Sequence, residues 1–518
     1  MDPGRWFLTS QERDNPDTGI DHRHPDGLAW SEGNEVRALP HGRTYFAELL
    51  RTVEATGAGD LILFTDWRGD PDQRLDGAGT EVARVLAAAA RRGVLVKGLI
   101  WRSHLDRFFF SEAENRHLGE AIEHAGAEAV RDMRVRVGGS HHQKFVVVRH
   151  PGRPDRDVAF VGGIDLCHGR RDGPEHGGDP QAAPMSPAYG SRPPWHDLQL
   201  AIRGPAVGDV EAVFRERWSD PTPVTRNPFF RVADAVRRDD DRPDPMPEQL
   251  PDPPPFGRYP VQLLRTYPYR GRHGYPFAPL GERSVARGYA KALRQVRRLI
   301  YVEDQYLWSA EVARPFAEAL AARPDLRMIV VLPLLPDQPG RLADAAEAIG
   351  RGAAIDVLRR AADDRVAVYG LENHEGTPIY VHAKVCVLDD TWLAVGSDNF
   401  NLRSWTHDSE LCCAIVDGDG GLARPLRLAL MREHLDRAEG DDADLSEPQS
   451  AFAAIARTAD DLDRWYANGR TGPRPAGRLR RYRVPEVPAW TRTAASALYR
   501  VFYDPDGRPR ELRRRRSF

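Results

Sequence analysis

Hydrophobic positions along the chain mark out two halves that carry the same predicted elements in the same order. In the first half, an amphipathic stretch over residues 45–53 is followed by a short apolar strand at 61–64. A helix over about 82–92 and a second apolar strand at 94–101 come next. This alternation of strands and helices is typical of an α/β protein.

The second half repeats that order. A helical pattern over 285–297 precedes a strand at 299–302, which is followed by a helix over about 310–321 and an apolar run at 328–335. Because strands alternate with helices of this length, we predict βαβ units and two mixed, mainly parallel sheets flanked by helices.

Each half then presents a His-x-Lys tripeptide just before an apolar strand, FVVV in the first half and VCVL in the second. Further along, an acidic residue opens another strand in each half, in DLQL and ELCC. The repeat predicts a duplicated fold. The residues concerned are His142, Lys144 and Asp197 in the first half, and His382, Lys384 and Glu410 in the second.

Composition divides the chain into four parts. Residues 1–218 form the N-terminal half, and 219–257, rich in Pro and Asp, are predicted to be an extended linker. Residues 258–440 form the C-terminal half, and the Arg- and Pro-rich residues 441–518 are predicted to be a partly ordered tail.

The overall composition points to an ordinary globular protein. Of the 518 residues 41% are hydrophobic and 29% charged, and the formal net charge of -3 gives no general attraction to nucleic acid or to an anionic membrane. With no signal-like N-terminus and no run of about 18 apolar residues, we expect a cytoplasmic monomer. The cysteines lack CxxC spacing and are expected to be buried free thiols: Cys167, Cys386, Cys412 and Cys413.

Lysine is rare in this chain. Of 73 basic residues only four are lysines, Lys97, Lys144, Lys291 and Lys384, and two of these lie in the His-x-Lys tripeptides. Arginine is the usual cation here, so these two positions indicate a need for a compact ammonium group.

The second tripeptide belongs to a longer motif, HxKxxxxDxxxxxxGSxN. Its residues are His382, Lys384, Asp389, Gly396, Ser397 and Asn399. This pattern resembles the signature of the phospholipase D superfamily at every position.

The first tripeptide departs from that pattern, since Arg149 occupies the aspartate position and Gly162-Gly163-Ile164-Asp165 replaces Gly-Ser-x-Asn. Its surroundings, AFVGGIDLCHGRRD and PWHDLQL, are nevertheless similar to those of phospholipase D proper, as is LIYVEDQYLW in the second half. The resemblance covers roughly residues 34–420. It implies a duplicated phospholipase D-like fold with one active site at the interface of the halves, and it implies that the missing aspartate is structural.

Cleaving a phosphodiester without a metal requires a nucleophile, a proton donor for the leaving alcohol and positive charge near the non-bridging oxygens. The resemblance implies that His142 attacks phosphorus and that His382 protonates the leaving group, although near-symmetric motifs leave the opposite assignment open. Lys144 and Lys384 would supply the positive charge. The remaining implied roles are phosphate binding for Asn399, Asp165, Ser397 and Gly163, histidine orientation for Asp197 and Glu410, and structural support for Asp389.

The resemblance therefore implies a phospholipase D that acts on phospholipid, without a cofactor, with room for peripheral membrane contact and with no nucleic-acid partner. Three alternatives stay open: a cardiolipin synthase-like phosphatidyltransferase, a nuclease, and a non-catalytic phospholipid-binding scaffold. The remaining histidines show no metal-ligand spacing, so no metal site is predicted.

Other residues near the motifs have ordinary interpretations. His141 and His196 are expected to pack or to form hydrogen bonds, and the terminal arginines 513–516 to be solvated. Residues 108–110, three phenylalanines, fit a membrane-touching loop or a helix start equally well. We expect head-group specificity to lie in the Gly- and Pro-rich loop 168–194. The tryptophans near predicted strand ends are expected to pack around the pocket: Trp67, Trp101, Trp195, Trp308 and Trp405.

Overall fold

A computed structural model describes residues 1–103, 112–227, 243–338 and 340–518. The strands of the first half are β1 Ser31–Pro40, β2 Leu61–Asp66, β3 Leu95–Trp101, β4 Glu128–Asp132, β5 Phe145–Arg149, β6 Val158–Gly162, β7 Trp195–His196 and β8 Leu198–Arg203. Those that follow are β9 Tyr259–Tyr267, β10 Glu282–Arg283, β11 Leu299–Glu303, β12 Arg327–Val331, β13 Val366–Glu372, β14 Pro378–Val381, β15 Val385–Leu388, β16 Trp392–Gly396, β17 Glu410–Val416 and β18 Leu479–Arg481.

The α-helices lie between these strands and after them. In the first half they are Ser10–Arg13, Gly42–Glu54, Val82–Arg91, Glu112–Glu123 and Ala206–Trp218. In the second half they are Ser284–Leu293, Ala310–Ala322, Arg341–Ala362, Leu402–Thr406 and Ala423–His434. Beyond it they are Pro448–Ala467, Ala489–Leu498 and Arg510–Arg515.

The two halves have the same sheet topology. The first sheet runs in the order β4-β3-β2-β5-β6-β8-β1, in which β4, β3 and β2 are parallel and the other neighbours are antiparallel. The second runs β13-β12-β11-β15-β16-β17-β9 with the same parallel and antiparallel blocks. The predicted α/β fold with two mixed sheets is thus confirmed, although antiparallel pairings outnumber the parallel pairings in each sheet. Helices pack on both faces of the sheets.

The two sheets face each other across a shared core. Inward side chains from both sheets, such as Val147, Leu200, Val387 and Val395, belong to one buried cluster. The outward faces are covered by helices, which form a separate apolar cluster in each half. The edge strands β1 and β9 pair with each other. Burial on both faces explains why the strands are almost continuously apolar.

The strands that lead into the active-site motifs also pair across the two halves. β14, which precedes His382, runs parallel to β7, which precedes Asp197. Likewise His141, which precedes His142, forms a parallel bridge with Ser409. The junction of the halves therefore lies where the two tripeptides are.

The C-terminal residues beyond 440 include ordered elements. The helix Pro448–Ala467 buries one face, and β18 extends the second sheet by pairing with β13. Some of the arginines in this region form ion pairs: Arg480 pairs with Glu372, and Arg481 pairs with Asp460. The final helix, Arg510–Arg515, has no buried residue.

The cysteines, the linker and the length of the helices were also subjects of prediction. All four cysteines are buried and free, as predicted. The described part of the linker packs on the first half, where Trp218 Nε1 donates to the Asp244 carbonyl oxygen over 2.8 Å. Residues 108–110 lie outside the described residues. Across the described ranges, none of the helices combines the length and the apolar character that crossing a bilayer needs.

Candidate active site

The two His-x-Lys tripeptides stand at the start of β5 and β15, at the junction of the halves. Extended backbone directs the histidine and the lysine of each tripeptide to the same side. The His142 amide donates to the Ser409 carbonyl oxygen over 2.9 Å, and the His382 amide donates to the His196 carbonyl oxygen over 2.7 Å. Each tripeptide is therefore fastened to the opposite half by its backbone.

The side chain of each motif histidine also contacts a carboxyl group of the opposite half. Nδ1 of His142 lies 2.9 Å from Oε2 of Glu410, and Nδ1 of His382 lies 2.7 Å from Oδ2 of Asp197. A carboxylate at Nδ1 fixes the orientation of the ring and leaves Nε2 for other chemistry. The two carboxylates that were predicted to orient histidines each reach the histidine of the other half.

The two lysines are buried beside these histidines. Nζ of Lys144 donates to the carbonyl oxygen of His142 over 2.9 Å and lies 3.5 Å from Oδ1 of Asp165. Nζ of Lys384 donates to the carbonyl oxygen of His382 and, over 3.1 Å, to Oε1 of Gln305. Each ammonium group is thus held next to the histidine of its own tripeptide.

Burial and positive charge keep both histidines neutral. Burial lowers the pKa of His142 well below its usual range, and Lys144 and Lys384 lower it further. Burial likewise lowers the pKa of His382 well below its usual range, with Lys384, Arg170, Lys144 and His142 adding to the effect. Both lysines lower the pKa of each histidine, so the four side chains lie close enough to interact electrostatically.

Burial also shifts the pKa values of the two orienting carboxyl groups and of Lys384. Burial raises the pKa of Glu410 to about 8, with Asp408 adding to the effect. Burial also raises the pKa of Asp197, and it lowers the pKa of Lys384 to about 8. An anionic phosphate entering the site would favour the protonated form of Lys384.

The predicted phosphate-binding residues differ in their contacts. Asn399 is buried, and its Oδ1 has no hydrogen-bond partner among the described residues. Oδ1 of Asp165 accepts the amides of Trp67 and Arg68, each over 3.3 Å. The Ser397 hydroxyl donates to Oε2 of Glu410, so this residue positions the Glu410 carboxyl group.

Gly163 and Ser397 occupy equivalent positions in the two halves, and the difference between them follows from the carboxylate that each one meets. A Cβ atom at Gly163 would lie 2.4 Å from Oδ1 of Asp197. In the second half the longer Glu410 leaves room for the Ser397 side chain, which becomes its hydrogen-bond donor. Gly163 therefore fits beside Asp197, and Ser397 fits beside Glu410, each without a steric clash.

Asp389 and Arg149 also stand at equivalent positions, away from the histidines. Oδ1 of Asp389 accepts the amides of Arg298 and Leu299, each over 2.8 Å, where β11 begins. In the first half Arg149 is buried, donates from Nε to Oδ2 of Asp157 over 2.7 Å and pairs with Glu211. Both side chains therefore make structural contacts within their own halves.

Three further side chains at the site were not assigned a chemical role from the sequence. The Trp67 ring lies 6.1 Å from the His142 ring, and the Trp195 ring lies 4.9 Å from the His382 ring. The Arg170 guanidinium stacks 3.9 Å from the centre of the Trp195 ring. The stretch GRRD, which contains Arg170, was part of the family resemblance. Nothing in that stretch indicates that Arg170 lies close to His382, which belongs to the second half.

Comparison with known families agrees with this geometry. A family model described as Phospholipase D matches residues 102–314, and one described as Cardiolipin synthase, PLD-like domain, matches residues 327–426. The chain belongs to the phospholipase D superfamily. Membership in this superfamily supports an enzyme of the phosphodiesterase or phosphotransferase type.

Relatives of this superfamily member include several plant proteins. Phospholipase D beta 1 of Arabidopsis thaliana is 26% identical over 60% of this chain and 38% of its own length. Phospholipase D alpha 4 of Arabidopsis thaliana is 23% identical over 79% and 66%, and phospholipase D alpha 2 of Oryza sativa subsp. japonica is 28% identical over 60% and 50%. The chain thus spans about half the length of these relatives.

A solved structure shares the fold of this superfamily member. The crystal structure of phosphatidylserine synthase from Haemophilus influenzae Rd KW20 aligns with a TM-score of 0.52 at 13% identity. The alignment covers 84% of this chain and 94% of that chain. At this level of identity the likeness concerns the fold alone.

Proposed function

We propose that this protein is a phospholipase D, which hydrolyses the distal phosphodiester of a glycerophospholipid to phosphatidic acid and a free head-group alcohol. The observation that carries the proposal is the crossed arrangement of His142 with Glu410 and His382 with Asp197, over 2.9 and 2.7 Å. Two oriented histidines supply the nucleophile and the acid that a metal-independent phosphodiester cleavage needs.

In the proposed mechanism Nε2 of His142 attacks phosphorus, and the bond from phosphorus to the head-group oxygen breaks. His382 donates the proton from its Nε2 to that oxygen. Water then attacks the phosphohistidine while giving a proton back to His382, which restores both side chains. Replacing water by a primary alcohol at this step yields a phosphatidyl-alcohol.

The charge distribution supports this sequence of steps. Burial keeps the pKa of His142 low, which leaves its Nε2 unprotonated for attack at neutral pH. The negative charge of a bound phosphodiester favours protonation of His382, because an opposite charge nearby stabilises the charged form. In this mechanism the ammonium groups of Lys144 and Lys384 stabilise the negative charge that grows on the non-bridging oxygens during transfer.

The choice of a phospholipid rests on the sequence and on the aromatic side chains beside the histidines. Residues 162–166, GGIDL, and residues 194–197, PWHD, resemble the corresponding stretches of phospholipase D proper. Trp67 and Trp195 place flat apolar surfaces next to His142 and His382, and Arg170 adds a third cation.

A phosphatidyltransferase is the second candidate. The match of residues 327–426 to the cardiolipin synthase-like model favours it, since such an enzyme would resolve the same phosphohistidine with a lipid alcohol in place of water. The two candidates share every step up to the intermediate and differ only in the acceptor.

The test is incubation of the purified protein with phosphatidylcholine vesicles and a primary alcohol. We expect free choline together with phosphatidic acid and phosphatidyl-alcohol, and no products with His142→Ala or His382→Ala. Conversion of phosphatidylglycerol to cardiolipin without hydrolysis would indicate the transferase, and cleavage of DNA but not lipid would indicate a nuclease. Vesicle binding without turnover would indicate a scaffold.

The nucleophile can be identified separately. The His382→Ala variant lacks the acid that protonates the leaving group, but a nitrophenolate can leave without being protonated. A nitrophenyl phosphodiester should therefore form a stable adduct on His142 in this variant. A peptide carrying the adduct on His382 in the His142→Ala variant would reverse the assignment.

A further inference from the structure

A second cluster of ionisable side chains lies buried behind the active site, and the proposed mechanism uses none of its side chains. It joins segments from both halves: the start of the helix Gly42–Glu54, the loop 168–194, β7, β11 and the end of the helix Ala423–His434. Its members are His41, His176, His196, Glu303, Glu433 and His434. We call this group the His-Glu cluster.

The carboxylate of Glu433 faces three imidazole rings, and its oxygens and their nitrogens surround a common centre. Its oxygens are 2.8 Å from Nε2 of His41, 3.0 Å from Nε2 of His176 and 3.5 Å from Nδ1 of His196. One ligand atom from each of the four residues lies within 4.8 Å of the other three. Ligands at about 2.0–2.1 Å from a tetrahedral zinc ion are separated by roughly 3.3 Å, which is close to these distances.

Two of the histidines are also oriented as metal ligands usually are. Nδ1 of His176 donates to the Trp195 carbonyl oxygen over 3.1 Å, which leaves Nε2 directed at the centre. Nε2 of His196 lies 2.7 Å from Oε2 of Glu303, which leaves Nδ1 directed at the centre. A carbonyl or a carboxylate on the far nitrogen is the usual outer support of a metal-binding histidine.

The nitrogen of His196 that faces the centre has no hydrogen-bond partner among the described residues, although the side chain is fully buried. Glu303 in turn is held by Nε2 of His434, 2.8 Å from its other oxygen. A divalent cation at the centre would balance the buried carboxylate of Glu303 and the partly buried carboxylate of Glu433, and would give the unpartnered nitrogen a ligand bond.

We propose that His41, His176, His196 and Glu433 bind a structural Zn²⁺ ion. Three imidazoles and a carboxylate are a ligand set that zinc accepts, and four protein ligands leave no open position for substrate or water. The ion ties three ligands of the first half to one of the second.

The site also has a positioning role. The carbonyl oxygen of His196 receives the His382 amide over 2.7 Å, and the next residue is Asp197, the partner of the His382 ring. A metal bond to His196 would therefore hold both the backbone and the carboxylate on which His382 depends.

The first test is metal content. Untagged protein purified without chelators is analysed by plasma mass spectrometry, with the expectation of about one zinc per chain. We expect Glu433→Gln and His176→Gln to lower zinc content at least several-fold, and His374→Gln to leave it unchanged, because His374 pairs with Asp436 on the surface. Wild-type protein with no stoichiometric metal would overturn the proposal and indicate an imidazolium-carboxylate network instead.

A second measurement needs only the wild-type chain, in case the cluster variants do not fold. Protein produced in zinc-depleted, cobalt-supplemented medium should show the intense visible absorption of tetrahedral Co²⁺ with nitrogen and oxygen ligands. Absence of that absorption, or a weak octahedral spectrum, would count against the site. Both readouts are independent of phospholipase activity, so they separate this proposal from the proposed function.

Discussion

Nδ1 of His382 lies 2.7 Å from Oδ2 of Asp197, although the two residues are 185 positions apart and belong to different halves. The reciprocal contact joins His142 to Glu410. Neither half therefore contains both a motif histidine and the carboxylate that orients it. The candidate site is therefore complete only when both halves are packed together.

The crossed contacts predict that each carboxylate is needed by the histidine of the opposite half. We expect Asp197→Asn to lower kcat by about 10²–10⁴-fold, because an amide supports the wrong tautomer of His382 and stabilises its cation poorly. Turnover of phosphatidylcholine measures the effect, with Asp155→Asn as an exposed control. Full activity with an intact circular dichroism spectrum would contradict this role for Asp197.

The rarity of lysine predicts that arginine cannot replace it at the site. Lys384 is enclosed between the His382 carbonyl oxygen and Gln305, so the wider guanidinium of Lys384→Arg would displace the catalytic groups. A displacement of about 1 Å costs on the order of 10²-fold in rate, and we expect at least that loss in kcat. Lys291→Arg is the matched control, because Lys291 pairs with the half-exposed Glu12 and should remain fully active.

The close approach of Gly163 to Asp197 predicts that a side chain is not tolerated there. Gly163→Ser places a Cβ atom 2.4 Å from Oδ1 of Asp197, so the carboxylate must move away from His382. We expect roughly 10²-fold lower kcat with little change in folding. Gly177→Ser is the control, since a Cβ atom at Gly177 meets no described atom within 4 Å. Equal activity of the two variants would refute the steric explanation.

The network around Arg149 predicts that restoring the family aspartate harms the first half. In Arg149→Asp the introduced carboxyl group would lie beside the buried carboxyl groups of Asp157 and Glu211, and the cation that now pairs with both would be gone. We expect a loss of about 3–5 kcal/mol in the free energy of unfolding. Urea unfolding measures it, and Arg149→Lys should lose less because it keeps the charge.

The fold was largely predictable because each half is built from local patterns. Apolar strands such as β2 and β11, separated by amphipathic helices, specify a helix-covered sheet without reference to distant residues. The motif histidines were equally visible, since their spacing is local. What the sequence did not reveal is which carboxylate meets which histidine, because that depends on how the halves pack.

The same limit applies to the C-terminal residues and to the His-Glu cluster. The ordered residues 448–481 carry arginines whose partners, such as Glu372, are far away in the sequence, so composition alone indicated a tail. His41 and Glu433 are 392 residues apart, and spacing rules for metal ligands detect only nearby residues. Both features arise from tertiary contacts.

A buried histidine near the active site predicts a specific pH dependence of stability. Burial lowers the pKa of His407 to about 4, with Arg403 and Arg136 contributing against the opposite effect of Asp408. The unfolded chain binds this proton near pH 6.5 and the folded chain only near pH 4. The free energy of unfolding therefore falls by about 1.4 kcal/mol per pH unit as the pH drops through this window.

Between about pH 7 and pH 5 the wild type should lose about 2 kcal/mol more than His407→Gln, which has no proton to bind. Urea unfolding of both proteins at the two pH values isolates this contribution, because every other titrating group is common to them. Parallel pH curves for the two proteins would mean that His407 titrates near its ordinary pKa in the folded chain, and that its burial between the halves is incomplete in solution.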